Sequence, residues 1–329
     1  MNSEILTDKH QLGLGGVAIG TAFENLSDEQ AEAVLKSAWD LGIRYYDTSP
    51  WYGLTKSERR FGAFLQNQTR EDFIFSTKVG RLFTEVPESE VPPTMWKAPL
   101  NYDFKHLYTA DAVKRSIEES LERSGLDYID IVYVHDLSED QVGDRYPYFL
   151  EQATKGAFKA LSQLRDEGVI KAWGMGVNKI EPILDCIDVA DPNICLSATQ
   201  YSILDHEDAV DRLLPAVKKA GVKLVSGAGY NSGFIAGRER FNYKDFIPKG
   251  MHKKRDRIST IAKNYDLTIL DAALHFVLAA DEFAAIIPGS SRPEQVKSNV
   301  DSLHKNIPVD FWKELKSEGL IYGKAQTPE

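Results

Sequence analysis

Eight short apolar runs, each separated from the next by a longer polar or amphipathic stretch, leave this chain few ways to fold. The runs cover residues 14–19, 43–46, 73–77, 129–134, 170–176, 196–200, 222–226 and 284–288. Most are continuously apolar rather than alternating, as parallel strands covered on both faces require. Between them, Ser27-Asp28-Glu29-Gln30 carries the pattern of a helix N-cap with a capping box. Thr109 opens another helical stretch that stops at Gly125. Stretches 154–167 and 207–220 stop at Gly168 and Gly221, and 268–280 stops at Asp281. Glycine between a helix and the next strand is the usual punctuation of αβ connections. The alternation predicts an α/β fold, a (β/α)8 TIM barrel built as a single domain over residues 1–329. A doubly wound sheet is the alternative. It would need a Gly-x-Gly-x-x-Gly turn leading into a helix, and no helical pattern directly follows Gly13-Leu14-Gly15-Gly16.

The net charge of −10 argues against a nucleic-acid or anionic-membrane partner, since both select clustered Lys and Arg. Lys253-Lys254-Arg255, the longest basic run, is followed by Asp256 and reads as a solvated helix start. Cys186 and Cys195 have neither metal-ligand nor disulfide-framework spacing, so two reduced thiols in a cytoplasmic protein are expected. The first ten residues have no signal-peptide core, and no window approaches the length of an apolar membrane span.

Barrels of this class place their chemistry at the carboxyl ends of the strands. The second run ends in Asp47, and Tyr52 follows in the loop Thr48-Ser49-Pro50-Trp51-Tyr52-Gly53. The third ends in Lys78, and the fourth in His135-Asp136. Moving a hydride to or from a carbonyl carbon also requires moving a proton to or from its oxygen. A tyrosine, with a pKa of about 10, is a poor base at neutral pH unless a cation favours the phenolate. Lys78 is expected to supply that charge, Asp47 to hold the lysine by a charge-assisted hydrogen bond, and His135 to donate to the substrate oxygen. No metal is needed, and no ligand cluster is present in the sequence. Two long irregular segments leave the same end of the barrel, 81–108 after Lys78 and 137–151 after His135. Their aromatic content argues against disorder and marks them as substrate-covering loops.

These four residues in this order resemble the aldo-keto reductase superfamily, whose active-site tetrad they match. The resemblance runs from Gly20-Thr21, after the first strand, to Ile287-Pro288-Gly289-Ser290, after the eighth. It implies a nicotinamide cofactor, with Asp47, Gly20 and Thr21 near it and its carboxamide held by Asn178 and Gln200. Where the family more often has Ser-Asn, this chain has Asn178-Lys179. After the seventh strand it has glycine at the place of the usual stacking aromatic, which points to backbone contacts through Gly227, Asn231 and Ser232. The adenosine-phosphate loop would comprise Ser290, Arg292, Gln295 and Asn299, at a helix N-terminus suited to anions. NADP-preferring members often carry Lys and Arg where Gly289 and Gln295 stand here, so NAD is favoured over NADP.

Local strings are similar to the branch of aldose 1-dehydrogenases and pyridoxal 4-dehydrogenase. They are Tyr52-Gly53-Leu54 with Ser57-Glu58-Arg59-Arg60, Ser76-Thr77-Lys78-Val79-Gly80-Arg81-Leu82, and Asn231-Ser232-Gly233. The resemblance implies oxidation of a sugar hemiacetal to a lactone, with Trp51, Trp96 and Tyr102 as platforms for the substrate. Pyridoxal oxidation and general carbonyl reduction are the alternatives. A cofactor-sensing regulatory subunit is the reading from a different class. The partner expected is a small molecule, and the protein is expected to be a monomer or homodimer.

Overall fold

The computed structural model describes residues 5–328. Its strands are β1 (Leu14–Gly15), β2 (Tyr45–Asp47), β3 (Ile74–Val79), β4 (Arg81–Glu85), β5 (Tyr102–His106), β6 (Ile131–His135), β7 (Ala172–Val177), β8 (Ile194–Ala198), β9 (Lys223–Gly227) and β10 (Phe283–Ile286). Eight of them form one parallel sheet in the order β1-β2-β3-β6-β7-β8-β9-β10. Its two edges meet through bridges from Leu12 to Ile286 and from Gly15 to Gly289, which close it into the expected barrel. Ile286 N–H donates to the Gln11 carbonyl at 2.8 Å across that seam.

Side chains alternate across the barrel wall, so each strand feeds two cores. Tyr45, Ile74, Ile131, Tyr133, Ala172, Ile194, Leu196 and Val225 pack inside. Tyr46, Phe75, Val132, Val134, Trp173 and Leu224 point outward into the layer beneath the helices. The same alternation carries Asp47, two residues beyond Tyr45, and His135, two beyond Tyr133, inward at the carboxyl end. The register pairs Asp47 with Ser76, Lys78 with Tyr133, and His135 with Gly176, which sets these side chains beside one another.

The helix ends follow from local chemistry. Ser27 caps helix Asp28–Asp40 through Gln30 N–H at 3.2 Å, and Gln30 reaches back to Ser27 N–H at 2.9 Å. Caps of this kind contribute about 1 kcal/mol. Thr109 caps Ala110–Ser124, which ends at Gly125 with φ +66°.

Four expectations are corrected. The first strand is only Leu14–Gly15, and the chain turns immediately after it, since Gly20 N–H bonds back to the Gly16 carbonyl. Segment 81–108 is not irregular throughout, because β4 and β5 pair as an antiparallel hairpin with Phe83 opposite Phe104. Segment 137–151 is largely helical, through Glu139–Val142 and Tyr146–Lys155. The helix read over 154–167 is in fact two. Gly156, at φ −118° and ψ −81°, breaks the chain between Tyr146–Lys155 and Ala157–Asp166. A Cβ at Gly156 would lie 2.8 Å from Ala110 N, so the break sits where two backbones touch.

Candidate active site

The carboxyl end of the barrel gathers Asp47, Lys78, Tyr52 and His135 around one cavity of about 330 Å³. Lys78 Nζ lies 2.7 Å from Asp47 Oδ2 and donates to the Thr48 carbonyl at 2.8 Å. Ser76 Oγ donates to the other carboxylate oxygen at 2.7 Å. Both charges are buried, which pulls the ammonium pKa down and pushes the carboxyl up; their attraction and these hydrogen bonds oppose both shifts. Gly176 lets the neighbouring strand pack closely, since a Cβ there would sit 3.0 Å from Tyr133 Cβ, with Lys78 Cε in ordinary contact at 3.6 Å.

Lys78 Nζ stands 4.7 Å from the centroid of the Tyr52 ring, and the His135 ring lies 5.8 Å from it. Burial raises the Tyr52 pKa well above 10, with the negative charge of Asp47 adding to the effect. This direction leaves the Tyr52 hydroxyl protonated at neutral pH. Asp47 largely cancels the charge of Lys78, and the phenol keeps its proton. His135 is pulled well below the ordinary histidine range, by burial first and then by the charge of Arg81. It is neutral at neutral pH. Its Nδ1 lies 3.1 Å from Ser49 Oγ and 3.4 Å from Arg81 Nη1. A guanidinium can only donate, so Nδ1 accepts and the ring proton is assigned to Nε2.

Sequence reasoning missed Asp136, Arg81 and Tyr243. Arg81, from β4, pairs with Asp136 at 2.9 Å and packs its guanidinium 4.8 Å from the Trp51 ring. Asp136 has φ +51°, a left-handed conformation that costs most residues about 1–2 kcal/mol and that Asp tolerates. Asp136 and Tyr243 both line the cavity. The only sequence signal for Asp136 was its place directly after His135. Nothing marked Tyr243, because the fold of its own loop carries it in: Ser232 Oγ accepts from Tyr243 N–H at 2.8 Å, and Asn231 Nδ2 donates to Asn242 Oδ1 at 3.0 Å.

The remaining sequence candidates divide into two groups. Trp51, Trp96, Asn178, Gly227, Ser232, Gln295 and Asn299 line the cavity. Gly20, Thr21, Gln200, Asn231, Ser290, Arg292 and Tyr102 do not, and most have other work. Gly20 packs against the loop backbone at Tyr52, where a Cβ would meet Tyr52 C at 2.7 Å. Thr21 ties the 81–108 segment to the first loop through its carbonyl and Lys97 N–H, at 2.9 Å, which brings Trp96 to the cavity. Gln200 donates to the Asn178 carbonyl at 2.7 Å and so positions Asn178 rather than facing the cavity. Tyr102 accepts from Arg59 Nη2 at 3.1 Å and packs against the cluster of Tyr52, Leu54 and Trp96 without lining the cavity. Ser290 Oγ is buried without a partner, and Arg292 is the residue preceding helix Pro293–Leu303. Gln295 Oε1 accepts from Ser291 N–H at 2.8 Å, occupying one donor of that helix start.

The Ser57-Glu58-Arg59-Arg60 string proves to be a buttress. Ser57 joins Thr48 to the Gly16 carbonyl, and Glu58 accepts from Thr77 at 2.5 Å and Arg123 at 2.6 Å. Arg60 holds the carbonyls of Ile19 and Leu26 at 2.6 and 2.8 Å.

From Asp47 and Lys78 the cavity runs past Gly227 and Tyr230 to Gly289, Ser291, Gln295, Ser298 and Asn299. Amides and hydroxyls beside a helix N-terminus, at the far end of an elongated cleft, fit the pyrophosphate and ribose of a dinucleotide. A loop crosses this cleft: Arg240 donates to the Ser232 carbonyl at 2.6 Å and lies 3.7 Å from the Phe23 ring. Among the described residues no cluster suited to a metal ion occurs, and no helix is long and apolar enough to cross a membrane.

Comparison with known proteins agrees with this geometry. A profile of the aldo/keto reductase family matches residues 11–318. The chain is 36% identical over 324 residues to a pyridoxal 4-dehydrogenase from Microbacterium luteolum, covering 94% of each protein. It is likewise 36% identical over 320 residues to a D-threo-aldose 1-dehydrogenase from a Pseudomonas species, again covering 94% of each. In fold it resembles the holo form of an aldo-keto reductase from Bacillus halodurans, with a TM-score of 0.72, 22% identity and coverage of 97% and 94% of the two chains.

Proposed function

The chain belongs to the aldo/keto reductase family of oxidoreductases, and from that premise we propose that it is an aldose 1-dehydrogenase, oxidising a cyclic sugar hemiacetal to its lactone with NAD. The observation that supports this chemistry is the buried Lys78–Asp47 pair, 2.7 Å apart, beneath the ring of Tyr52. A nicotinamide supplies the hydride acceptor in oxidation and the donor in reduction. Tyr52 exchanges the proton of the reacting oxygen. His135 directs Nε2–H at that oxygen, and Lys78 with Asp47 fixes the electrostatic floor on which Tyr52 changes protonation. Trp51 and Trp96, with ring centroids 5.7 Å apart, offer an apolar wall for the face of a sugar. In this reading Asn178, on the cavity wall, holds the carboxamide and the 288–299 segment holds the adenosine half. The absence of a cationic side chain on the cavity wall between 289 and 299 favours NAD over NADP.

Pyridoxal oxidation is the second reading, since the same wall suits a pyridine ring and one relative carries that activity. The chain is expected to act as one barrel in the cytoplasm. Turnover of L-fucose, L-galactose, D-arabinose, pyridoxal and a simple aldehyde with NAD and with NADP tests the proposal. Lactone formation from an aldose supports it. Turnover of pyridoxal or the aldehyde alone moves the assignment to those readings, and tight cofactor binding without any turnover favours a sensing subunit.

A further inference from the structure

The proton and hydride steps use Tyr52, Lys78, Asp47 and His135, yet a second buried ion pair faces the same cavity, and its carboxylate has no part in them. Asp136 Oδ2 lies 2.9 Å from Arg81 Nη2, and the Asp136 side chain keeps 10% of its surface, open to the cavity. The same oxygen is 3.6 Å from His135 Nε2. Because Nδ1 of that ring faces two donors, Nε2 carries the proton. The cavity therefore presents a neutral N–H donor and a carboxylate acceptor side by side. Arg81 is itself held by the Trp51 and Phe104 rings, at 4.8 and 5.6 Å, so the carboxylate is fixed rather than swinging. The left-handed backbone of Asp136, with its N–H on the Gly176 carbonyl at 3.0 Å, keeps it beside His135. Strain and a desolvated charge at a cavity wall are costs that a site bears when they serve a ligand.

A carbonyl or hemiacetal oxygen can receive the His135 donor. The group beside it must then donate to a carboxylate, and a hydroxyl on the adjacent carbon meets that requirement. We propose that Asp136 is a specificity-determining residue that accepts a hydrogen bond from the hydroxyl next to the reacting carbon, selecting α-hydroxylated substrates over plain aldehydes. The inference rests on the dehydrogenase reading above and narrows its substrate class. A hydrogen bond to a buried carboxylate is worth on the order of tenfold to a hundredfold in discrimination.

The test measures kcat/KM for reduction of glyceraldehyde and of propanal by the wild-type enzyme and by Asp136→Asn. Asn tolerates the left-handed backbone but presents no charge. The ratio of the two values cancels any loss of folded protein, because both substrates meet the same enzyme. The wild-type ratio is expected to favour glyceraldehyde at least tenfold, and the substitution to reduce that preference by tenfold or more. A wild-type ratio near one, or a ratio unchanged in the variant, overturns the proposal. If Asp136→Asn does not fold, the double variant Asp136→Asn/Arg81→Gln, which removes both charges, replaces it. Lactone formation from aldoses is scored separately. A collapsed ratio without any lactone would keep this inference and reject the aldose reading.

Discussion

The Lys78 ammonium sits 4.7 Å from the centre of the Tyr52 ring while its charge is held by Asp47 at 2.7 Å. The lysine is thus near enough to polarise the tyrosine but is not a free cation. Tyr52 rests as a phenol, poised to give a proton, and must lose that proton before it can accept one. Replacing Tyr52 by Phe keeps the ring and removes the hydroxyl proposed to exchange the substrate proton. Turnover is expected to fall by about 10²- to 10⁴-fold, the range of general acid–base catalysis. Cofactor affinity, read by fluorescence titration, is expected to stay within about twofold, and a variant with near-wild-type turnover would falsify the assignment.

The same pKa direction sets the pH dependence. Burial and the Asp47 charge raise the Tyr52 pKa, so at neutral pH the phenol dominates. Reduction uses the phenol and should be flat in kcat/KM from about pH 6 to 8. Oxidation uses the phenolate and should climb by about tenfold per pH unit below that pKa. His135 is lowered well below 6.5 and is already neutral across this range, so neither profile should show an inflection near that value from imidazole. An oxidation rate that falls as pH rises would overturn the assignment of Tyr52 as the proton acceptor.

Asp47→Asn isolates the ion pair. The substitution keeps the shape and an acceptor for Ser76, but leaves the Lys78 ammonium buried with only the Thr48 carbonyl. Breaking a buried pair from one side costs about 3–5 kcal/mol. Urea unfolding should show a lower midpoint with an unchanged slope. A loss under about 1 kcal/mol would mean that water solvates the lysine, and that the pair is less desolvated than its burial indicates.

The barrel was legible because its parallel strands are buried on both faces and therefore stand out as uninterrupted apolar runs. The tetrad was legible because strand ends are places that sequence rhythm locates. The β4–β5 hairpin was missed although its signal was present. Tyr102, Phe104 and His106 alternate with Asp103 and Lys105, and Phe83 lies opposite Phe104, but the intervening prolines masked the period of two. Asp136 could not be assigned from its own neighbourhood. Its meaning comes from Arg81, which that hairpin brings to it. Tyr243 lay out of reach for a related reason: hydrogen bonds within its own loop carry it to the cavity. Gln200 and Thr21 stood near the right places, but their side chains are engaged with neighbouring loops, where strand-end counting has no resolving power.

Cofactor preference should be decided at the start of helix Pro293–Leu303. Gly289 and Gln295 line the cavity there, while Arg292 does not. Gln295 also occupies Ser291 N–H at 2.8 Å, so this corner presents neither a cation nor a full set of backbone donors to a 2′-phosphate. Gly289→Lys combined with Gln295→Arg adds two positive charges and releases that N–H. Each charge-assisted contact to a phosphate is worth about 1.5–3 kcal/mol, or roughly tenfold to a hundredfold. Gly289 has open surroundings: a Cβ there would stand 3.5 Å from its nearest non-adjacent atom, so the lysine enters without displacing backbone. The ratio of kcat/KM for NADP to that for NAD should rise at least tenfold over wild type, mainly through a lower KM for NADP. An unchanged ratio would place the adenosine phosphate elsewhere along the cleft, with Arg238 and Arg240, which also line the cavity, the next residues to substitute.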